Sequence, residues 1–147
     1  MNLIGLRALA GREIAVTEWL EITQERINQF ADATDDHQWI HIDPERAQRE
    51  SPYGAPIAHG FLTLSLLPKF LRDSLELVDV RMAINYGLNR VRFPSAVRAG
   101  SRIRARIVLQ SIRDVGDATE ATYSITVECQ AAEKPCCVAE LLARYYR

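Results

Sequence analysis

The hydrophobic pattern of the chain centres on one apolar stretch, from Ile57 to Leu71, which contains no Asp or Glu. Nine of its fifteen positions are apolar and only Lys69 is charged, so the pattern predicts a helix that is buried on all sides. At about fifteen residues, this helix is too short to cross a membrane. Pro68 removes a backbone donor and crowds the carbonyl four residues earlier, which predicts a kink near Leu64 or a break in the helix.

After this helix the pattern changes to a period of two, which is typical of half-buried strands. Strands are predicted over 81–93, 102–109, 123–128 and 138–146. Gly87 predicts a bulge within the first of them, and residues 114–117 predict a turn. One buried helix followed by antiparallel strands is covered only if the sheet wraps around it. The sequence therefore predicts one α+β domain in which an antiparallel sheet wraps a long central α-helix.

The segment before the central helix carries the signals of two further helices. Thr23 is a good N-cap, because apolar residues follow it at helical spacing. Asp35 and Asp36 favour leaving this helix, because short polar side chains compete for backbone hydrogen bonds. Asp43 and Pro44 predict the start of a short helix. The remaining predictions are an amphipathic lead-in over 1–12, a first strand over 14–20 and an irregular loop over 51–56.

Composition and charge narrow the class of protein. The 147 residues, 48% of them hydrophobic, suffice for one domain with its own core. The net charge of −1 argues against general binding to nucleic acid. Three cysteines without a CxxC spacing predict a reducing compartment, by default the cytoplasm, and are expected to pack as small apolar residues. Arg7 and Arg12 interrupt the first apolar stretch, so neither a signal peptide nor a membrane span is expected.

Candidate chemistry concentrates around the three histidines, His37, His41 and His59. Asp36 lies five residues before His41. On a helix this spacing separates two side chains by about 140°, and on a strand it places them on opposite faces. Neither element directs both side chains to one point. A shared site therefore requires a loop after the end of the preceding helix.

Three segments of the chain resemble a known family. Asp35-Asp36-His37-Gln38-Trp39-Ile40-His41 resembles the motif Gly-Asp-x-Asn-Pro-aliphatic-His of the MaoC-like, (R)-specific enoyl-CoA hydratases. Residues 56–61 resemble the family's second signature, at the start of the central helix, and residues 85–94 resemble the strand that follows. The resemblance covers most of the chain from about residue 17 onward. Asp35, Gln38 and Trp39 depart from the family's Gly, Asn and Pro.

The resemblance implies a hotdog fold and a hydro-lyase that adds water to trans-2-enoyl-CoA, giving (R)-3-hydroxyacyl-CoA without a cofactor or a metal. Asp36 and His41 match the family's catalytic pair, and which of them transfers which proton stays open. The backbone amide of Gly60 suits the developing enolate oxygen. The expected partner is an acyl thioester of coenzyme A or of acyl carrier protein. A homodimer is expected because a sheet around one helix leaves an edge strand open.

Four other residues have two interpretations each. Gln38 orients the water or His41, or it is an ordinary loop amide. His59 touches the substrate, or it packs beside the active loop. Asn85 lines the acyl pocket, or it satisfies a bulge. His37 is expected to be exposed or structural.

Rival functions also stay open. Hotdog thioesterases and fatty-acid synthesis dehydratases commonly place a carboxylate on the central helix, whereas residues 57–71 contain none. A non-catalytic hotdog domain for acyl-CoA binding or assembly would lack Asp36 or His41. The arginines at 90, 92, 98, 102, 104 and 106 suit either the phosphates of coenzyme A or a solvated strand face, without indicating a nucleic-acid partner.

Overall fold

The fold is described from a computed structural model for residues 1–130 and 132–147. The helices are α1 (Leu3–Arg7), α2 (Gln24–Thr34), α3 (Trp39–Ile42), α4 (Pro44–Glu50), α5 (Gly60–Ser65) and α6 (Leu67–Ser74). The strands are β1 (Arg12–Val16), β2 (Leu20–Glu21), β3 (Met82–Arg92), β4 (Arg102–Val115), β5 (Ala118–Cys129) and β6 (Cys137–Tyr146).

The strands form one antiparallel sheet in the order β1-β4-β5-β6-β3, and β2 pairs with β4 as well. Alternate side chains of β4, from Ile103 to Leu109, are fully buried. They share one core with Leu62, Leu67 and Phe70 of the central helical segments. This arrangement confirms the predicted antiparallel sheet wrapped around a central helical layer.

The central helix differs from the prediction in its extent. It is not one long helix but two segments, α5 and α6, which meet at Leu66. Pro68 lies in the first turn of α6, where its missing N–H breaks no helical hydrogen bond, so the predicted break is confirmed. Ile57 and Ala58 are extended and pair with the segment at 97–98 instead of joining the helix. Burial on all sides is wrong for Phe61, which is 67% exposed.

The region before the central helix confirms most of its local signals. The Thr23 side chain accepts the Arg26 amide at 3.1 Å and caps α2, and the Asp43 side chain accepts the Arg46 amide at 3.1 Å and caps α4. The first predicted strand is instead two strands, β1 and β2. The lead-in forms α1, whose buried Leu3 and Leu6 join the core.

The third strand lies at one edge of the sheet, where it pairs with β6 on one side. The register of this pairing shifts between Asn85 and Gly87, as the predicted bulge requires. Every second side chain from the start of β3 is apolar and 41–54% exposed, namely Met82, Ile84, Tyr86 and Leu88. The chain therefore carries an exposed apolar row along an open sheet edge.

All three cysteines are free and buried, as their expected role of small apolar residues requires. In the described part of the chain, no helix has the length and apolar character needed to cross a membrane.

Candidate active site

The end of α2 positions Asp36. The helix ends at Thr34, and Asp35 then adopts the left-handed conformation, with φ of 58°. A helix commonly ends in this conformation, which Gly enters most readily and which Asp and Asn tolerate. This conformation accounts for the family's Gly at the position of Asp35. Asp36 follows immediately, with its side chain 55% exposed.

His41 lies in the one-turn helix α3 rather than in a loop, which corrects the sequence-based placement. Its side chain is only 7% exposed. Nδ1 lies 2.7 Å from the carbonyl oxygen of Ile57, and because a carbonyl only accepts, Nδ1 carries the proton. Nε2 of the neutral ring is therefore the nitrogen with a free lone pair.

Gln24, in the first turn of α2, also positions His41. Its side-chain amide donates to the backbone carbonyl of His41 at 2.7 Å and to the side-chain oxygen of Asn28 at 2.9 Å. The amide thereby ties α3 to α2. Sequence reasoning missed this residue, because the two partners lie seventeen positions apart and no local pattern connects them.

His59 stacks on His41, with ring centroids 3.8 Å apart and ring planes inclined by 23°. Its Nε2 lies 3.0 Å from the backbone carbonyl of Asp36, to which it donates, and 4.0 Å from the Asp36 carboxylate. The other nitrogen, Nδ1, is buried without a hydrogen-bond partner among the described residues. The Phe30 ring also packs against His59, with ring centroids 4.9 Å apart. His59 thus links the backbone of Asp36 to the ring of His41.

The structure brings Asp36, His41 and His59 together, with polar side-chain atoms that all lie within 4.8 Å of one another. They line a cavity of about 410 Å³. The other lining residues are Phe30, Thr34, Gly60, Phe61 and Phe93. The Asp36 and His41 side chains converge through the left-handed exit at Asp35 and the short helix α3, and not through the single loop that the sequence predicted.

Gly60 begins α5 at the edge of this cavity. Its backbone amide makes no hydrogen bond to any other described residue. A Cβ at this position would lie 3.0–3.1 Å from three atoms of the Phe93 ring, so a side chain here would require that ring to shift. An acceptor on a ligand can therefore approach the backbone here more closely than at other residues.

Three predicted residues do not line this cavity. Gln38 is exposed at the start of α3 and makes no capping hydrogen bond with its side chain. Asn85 lies on β3 and lines a different cavity, of about 390 Å³, with residues of α6. His37 is exposed and pairs with Asp32 at 2.9 Å, in line with its expected structural role. Roles for Gln38 and Asn85 in binding stay predictions.

Comparison with known proteins places the chain in a family. The family profile described as MaoC like domain matches residues 7–129. The chain belongs to the MaoC-like dehydratases. The 3-hydroxyacyl-thioester dehydratase Z of Mycobacterium tuberculosis is 52% identical over 141 residues, which cover 95% of this chain and 93% of that protein. This MaoC-like protein is therefore an enzyme of the hydro-lyase class.

Two further relatives agree with this family. Nodulation protein N of Rhizobium meliloti is 44% identical over 152 residues, which cover 97% of this chain and 90% of that protein. An unliganded (R)-hydratase from Pseudomonas aeruginosa has the same fold, with a TM-score of 0.75 over 94% of this chain and 82% of that chain, at 20% identity. The MaoC-like dehydratase accordingly has the hotdog fold.

Asp36, His41 and His59 are close enough together to hold one metal ion, judged by the distances between their ligand atoms alone. A metal binds the in-plane lone pair of an imidazole, however, and the rings of His41 and His59 are stacked nearly parallel. An ion bound by both rings would have to lie in both ring planes, and two planes stacked at 3.8 Å and inclined by only 23° do not meet at bonding distance. The cluster therefore suits proton transfer better than metal binding.

Burial lowers the pKa of His41, because the imidazolium form loses hydration there. The Ile57 carbonyl opposes this shift, the neighbouring His59 adds to it, and the Asp36 charge opposes it. The neutral ring, with its acceptor at Nε2, is thus the form favoured near neutral pH.

We expect the acid limb of the pH profile of this dehydratase to have its midpoint below about 6.5, the ordinary value of histidine. The activity should stay constant as pH falls toward that value, because His41 protonates only at lower pH. Stability should also fall on the acid side, because the unfolded chain takes up this proton more readily than the folded chain. Measuring kcat/KM against pH checks the prediction, and an acid midpoint above the ordinary value would contradict it.

Proposed function

We propose that this dehydratase adds water to trans-2-enoyl thioesters, and catalyses the reverse reaction, to give (R)-3-hydroxyacyl thioesters. The observation that carries the proposal is the convergence of Asp36 and His41 on one cavity with the Gly60 amide at its edge. Hydration of an enoyl thioester needs a base for water, a proton for C2 and a donor for the thioester oxygen. The three groups suit these three tasks.

His41 is the better candidate for the base. Its Nδ1–H bond to Ile57 fixes the tautomer and leaves Nε2 to accept a proton from water. The water oxygen then bonds to C3, the electron pair of the C2–C3 double bond forms the C1–C2 double bond, and the π pair of the thioester carbonyl moves to its oxygen as an enolate. The Asp36 and His41 pair returns the proton taken from water to C2, and the thioester carbonyl forms again. Because one water and one pair serve both carbons, the addition is syn.

The Gly60 amide is the proposed donor for the enolate oxygen. It makes no hydrogen bond to another described residue, and it lies at the start of a helical segment, where the backbone N–H groups favour negative charge. An acyl thioester with its oxygen at this amide has C2 and C3 in the cavity that His41 and Asp36 line. The thiol carrier in this proposal is coenzyme A or acyl carrier protein.

The geometry favours hydration over the rival hotdog activities. The helical layer extends to Ser74 and so includes one carboxylate, Asp73, beyond the predicted helix. Asp73 is half exposed and pairs with Lys69, and it lines a different cavity, beside β1 and β2. Among the described residues that line the reaction cavity, the carboxylate comes from Asp36 after α2 and not from the central helix. This placement argues against the thioesterase alternative and against a purely binding role.

An absorbance assay tests the proposed reaction. We expect crotonyl-CoA to lose its enoyl thioester absorbance when the enzyme is added, and the (R) product to accumulate. Coupling to an (S)-specific 3-hydroxyacyl-CoA dehydrogenase should give no NADH, whereas an (R)-specific reporter should respond. Rapid hydrolysis to free coenzyme A would favour a thioesterase instead, and robust NADH formation with the (S)-specific enzyme would overturn the stereochemical assignment.

We also propose that two copies pair through the open edge formed by β3. The exposed row of Met82, Ile84, Tyr86 and Leu88 would be covered by a second sheet edge, which removes an aggregation hazard and buries apolar surface. A continuous sheet across both copies satisfies the outward backbone groups of β3.

Sedimentation at micromolar concentration checks the dimer. The protein should sediment as a species of twice 16.6 kDa. Ile84→Glu should shift the equilibrium toward the monomer, because it places a charge within the apolar row. Val78→Glu is the matched control, since Val78 is 74% exposed and lies before β3. A monomeric unsubstituted protein would contradict this proposal.

The three buried free thiols support a reducing compartment, and we propose the cytoplasm as the site of action. Burial raises the pKa of Cys136 to about 12 and that of Cys137 to about 11. Such thiols are almost wholly protonated at neutral pH, which fits packing rather than reactivity.

A further inference from the structure

Phe93 occupies a special place beside the reaction cavity. It follows the last residue of β3, Arg92, and precedes Pro94. Its ring lies against the backbone of Gly60, where an added Cβ would meet three ring atoms at 3.0–3.1 Å. The Phe61 ring meets it edge-on, with centroids 6.1 Å apart. The ring of Phe93 therefore packs directly beside the proposed oxyanion donor.

This ring also lines a second and larger cavity. Its volume is about 620 Å³, against about 410 Å³ for the reaction cavity. Among the described residues, only Gly60 and Phe93 line both cavities. Because Gly60 has no side chain, the Phe93 ring is the one described side chain that lines both cavities.

The second cavity is apolar on its core side, although its lining as a whole is largely polar. Small apolar or weakly polar residues that are buried in the core line it, namely Ala58, Val97, Cys129 and Cys136. Its other lining residues include Ser95, Arg98 and Ser101, which carry the polar groups. An alkyl group that entered this space would thus find apolar surface on the core side.

We propose that the Phe93 ring is a partition that limits the size of the acyl group, and that Phe93 is therefore a specificity-determining residue. This inference rests on the proposed function. If Asp36 and His41 hold the water that adds to C3, the acyl chain beyond C3 lies in the reaction cavity, which Phe93 bounds. Removing the ring joins the two cavities, so a longer chain fits without displacing the thioester from Gly60.

The test compares kcat/KM for crotonyl-CoA and trans-2-dodecenoyl-CoA. Phe93→Ala should raise the ratio of the long to the short substrate by at least about tenfold, since each methylene accommodated in an apolar pocket contributes substantially to discrimination. Phe93→Leu, which leaves a smaller gap and retains more of the packing, should raise the ratio by less.

Phe61→Ala is the matched control. This substitution also removes a phenyl ring from the reaction cavity, but Phe61 does not line the second cavity. It should therefore change kcat/KM for both substrates alike. An unchanged ratio in both Phe93 variants, or an equal loss on both substrates, would show that the ring is only structural and would overturn the inference. If the unsubstituted enzyme hydrates neither substrate, the proposed function itself fails and this inference fails with it.

Discussion

Asp36→Asn is expected to fold like the unsubstituted protein and to lose at least about a hundredfold in turnover of crotonyl-CoA. The amide keeps the shape of the carboxylate but neither holds the charge nor exchanges the proton that the pair needs. The side chain is about half exposed and forms no ion pair shorter than 4.0 Å with another described residue, so its replacement should alter stability little. Steady-state turnover and the melting temperature together measure the effect.

Asp35→Asn is the matched control, because it makes the same chemical change one residue earlier. Asp35 is exposed and in the left-handed conformation at the end of α2, which Asn tolerates as well as Asp does. This variant should keep most of its turnover. If Asp35→Asn inactivates the enzyme and Asp36→Asn does not, the motif is displaced by one residue and the role of His41 has to be reassigned.

The contrast between these two acids shows which features of the site the sequence predicts. The helix before them is predictable because its signals are local, namely the Thr23 cap and apolar residues at helical spacing. The helix exit is predictable from the adjacent acids. The family's Gly at this position indicates the left-handed conformation of Asp35, because glycine adopts that conformation most readily.

Sequence patterns do not predict contacts between segments that are distant along the chain. The carbonyl that accepts the hydrogen bond from the His41 ring lies sixteen residues away. The Gln24 amide that donates to the His41 backbone lies seventeen residues away. A backbone carbonyl has no sequence signature, since every residue carries one. The partition at Phe93 depends likewise on a contact between the end of β3 and the start of α5.

Two further differences have physical causes of the same kind. Pro68 predicted a kink or a break equally well. The structure has a break at Leu66, because α5 packs against β6 whereas α6 packs against β4. Phe61 is apolar in sequence but largely exposed in one protomer, because it faces the cavity mouth rather than the core. Hydrophobic periodicity indicates that a side chain is buried, but it does not indicate which surface buries it.

His41→Asn is expected to lower turnover by at least about a hundredfold, because the acceptor at Nε2 is lost. The Asn amide is able to donate to the Ile57 carbonyl in place of Nδ1, so the variant should keep its fold. His37→Asn is the control, since His37 lies in the same motif but is exposed and pairs with Asp32. It should remain close to full activity. Inactive His37→Asn beside active His41→Asn would contradict the assignment.

Combining Asp36→Asn with His41→Asn is expected to cost little more activity than the more damaging single substitution. If both residues act on one water, removal of the first already abolishes the proton transfer, and removal of the second has little left to disrupt. Residues that act as a unit show this non-additivity, so the double variant should lie within about tenfold of the less active single variant. Single-turnover rates of all four proteins, with melting curves to establish folding, measure the coupling. A loss equal to the product of the two single losses would place Asp36 and His41 in independent steps and would refute the shared water.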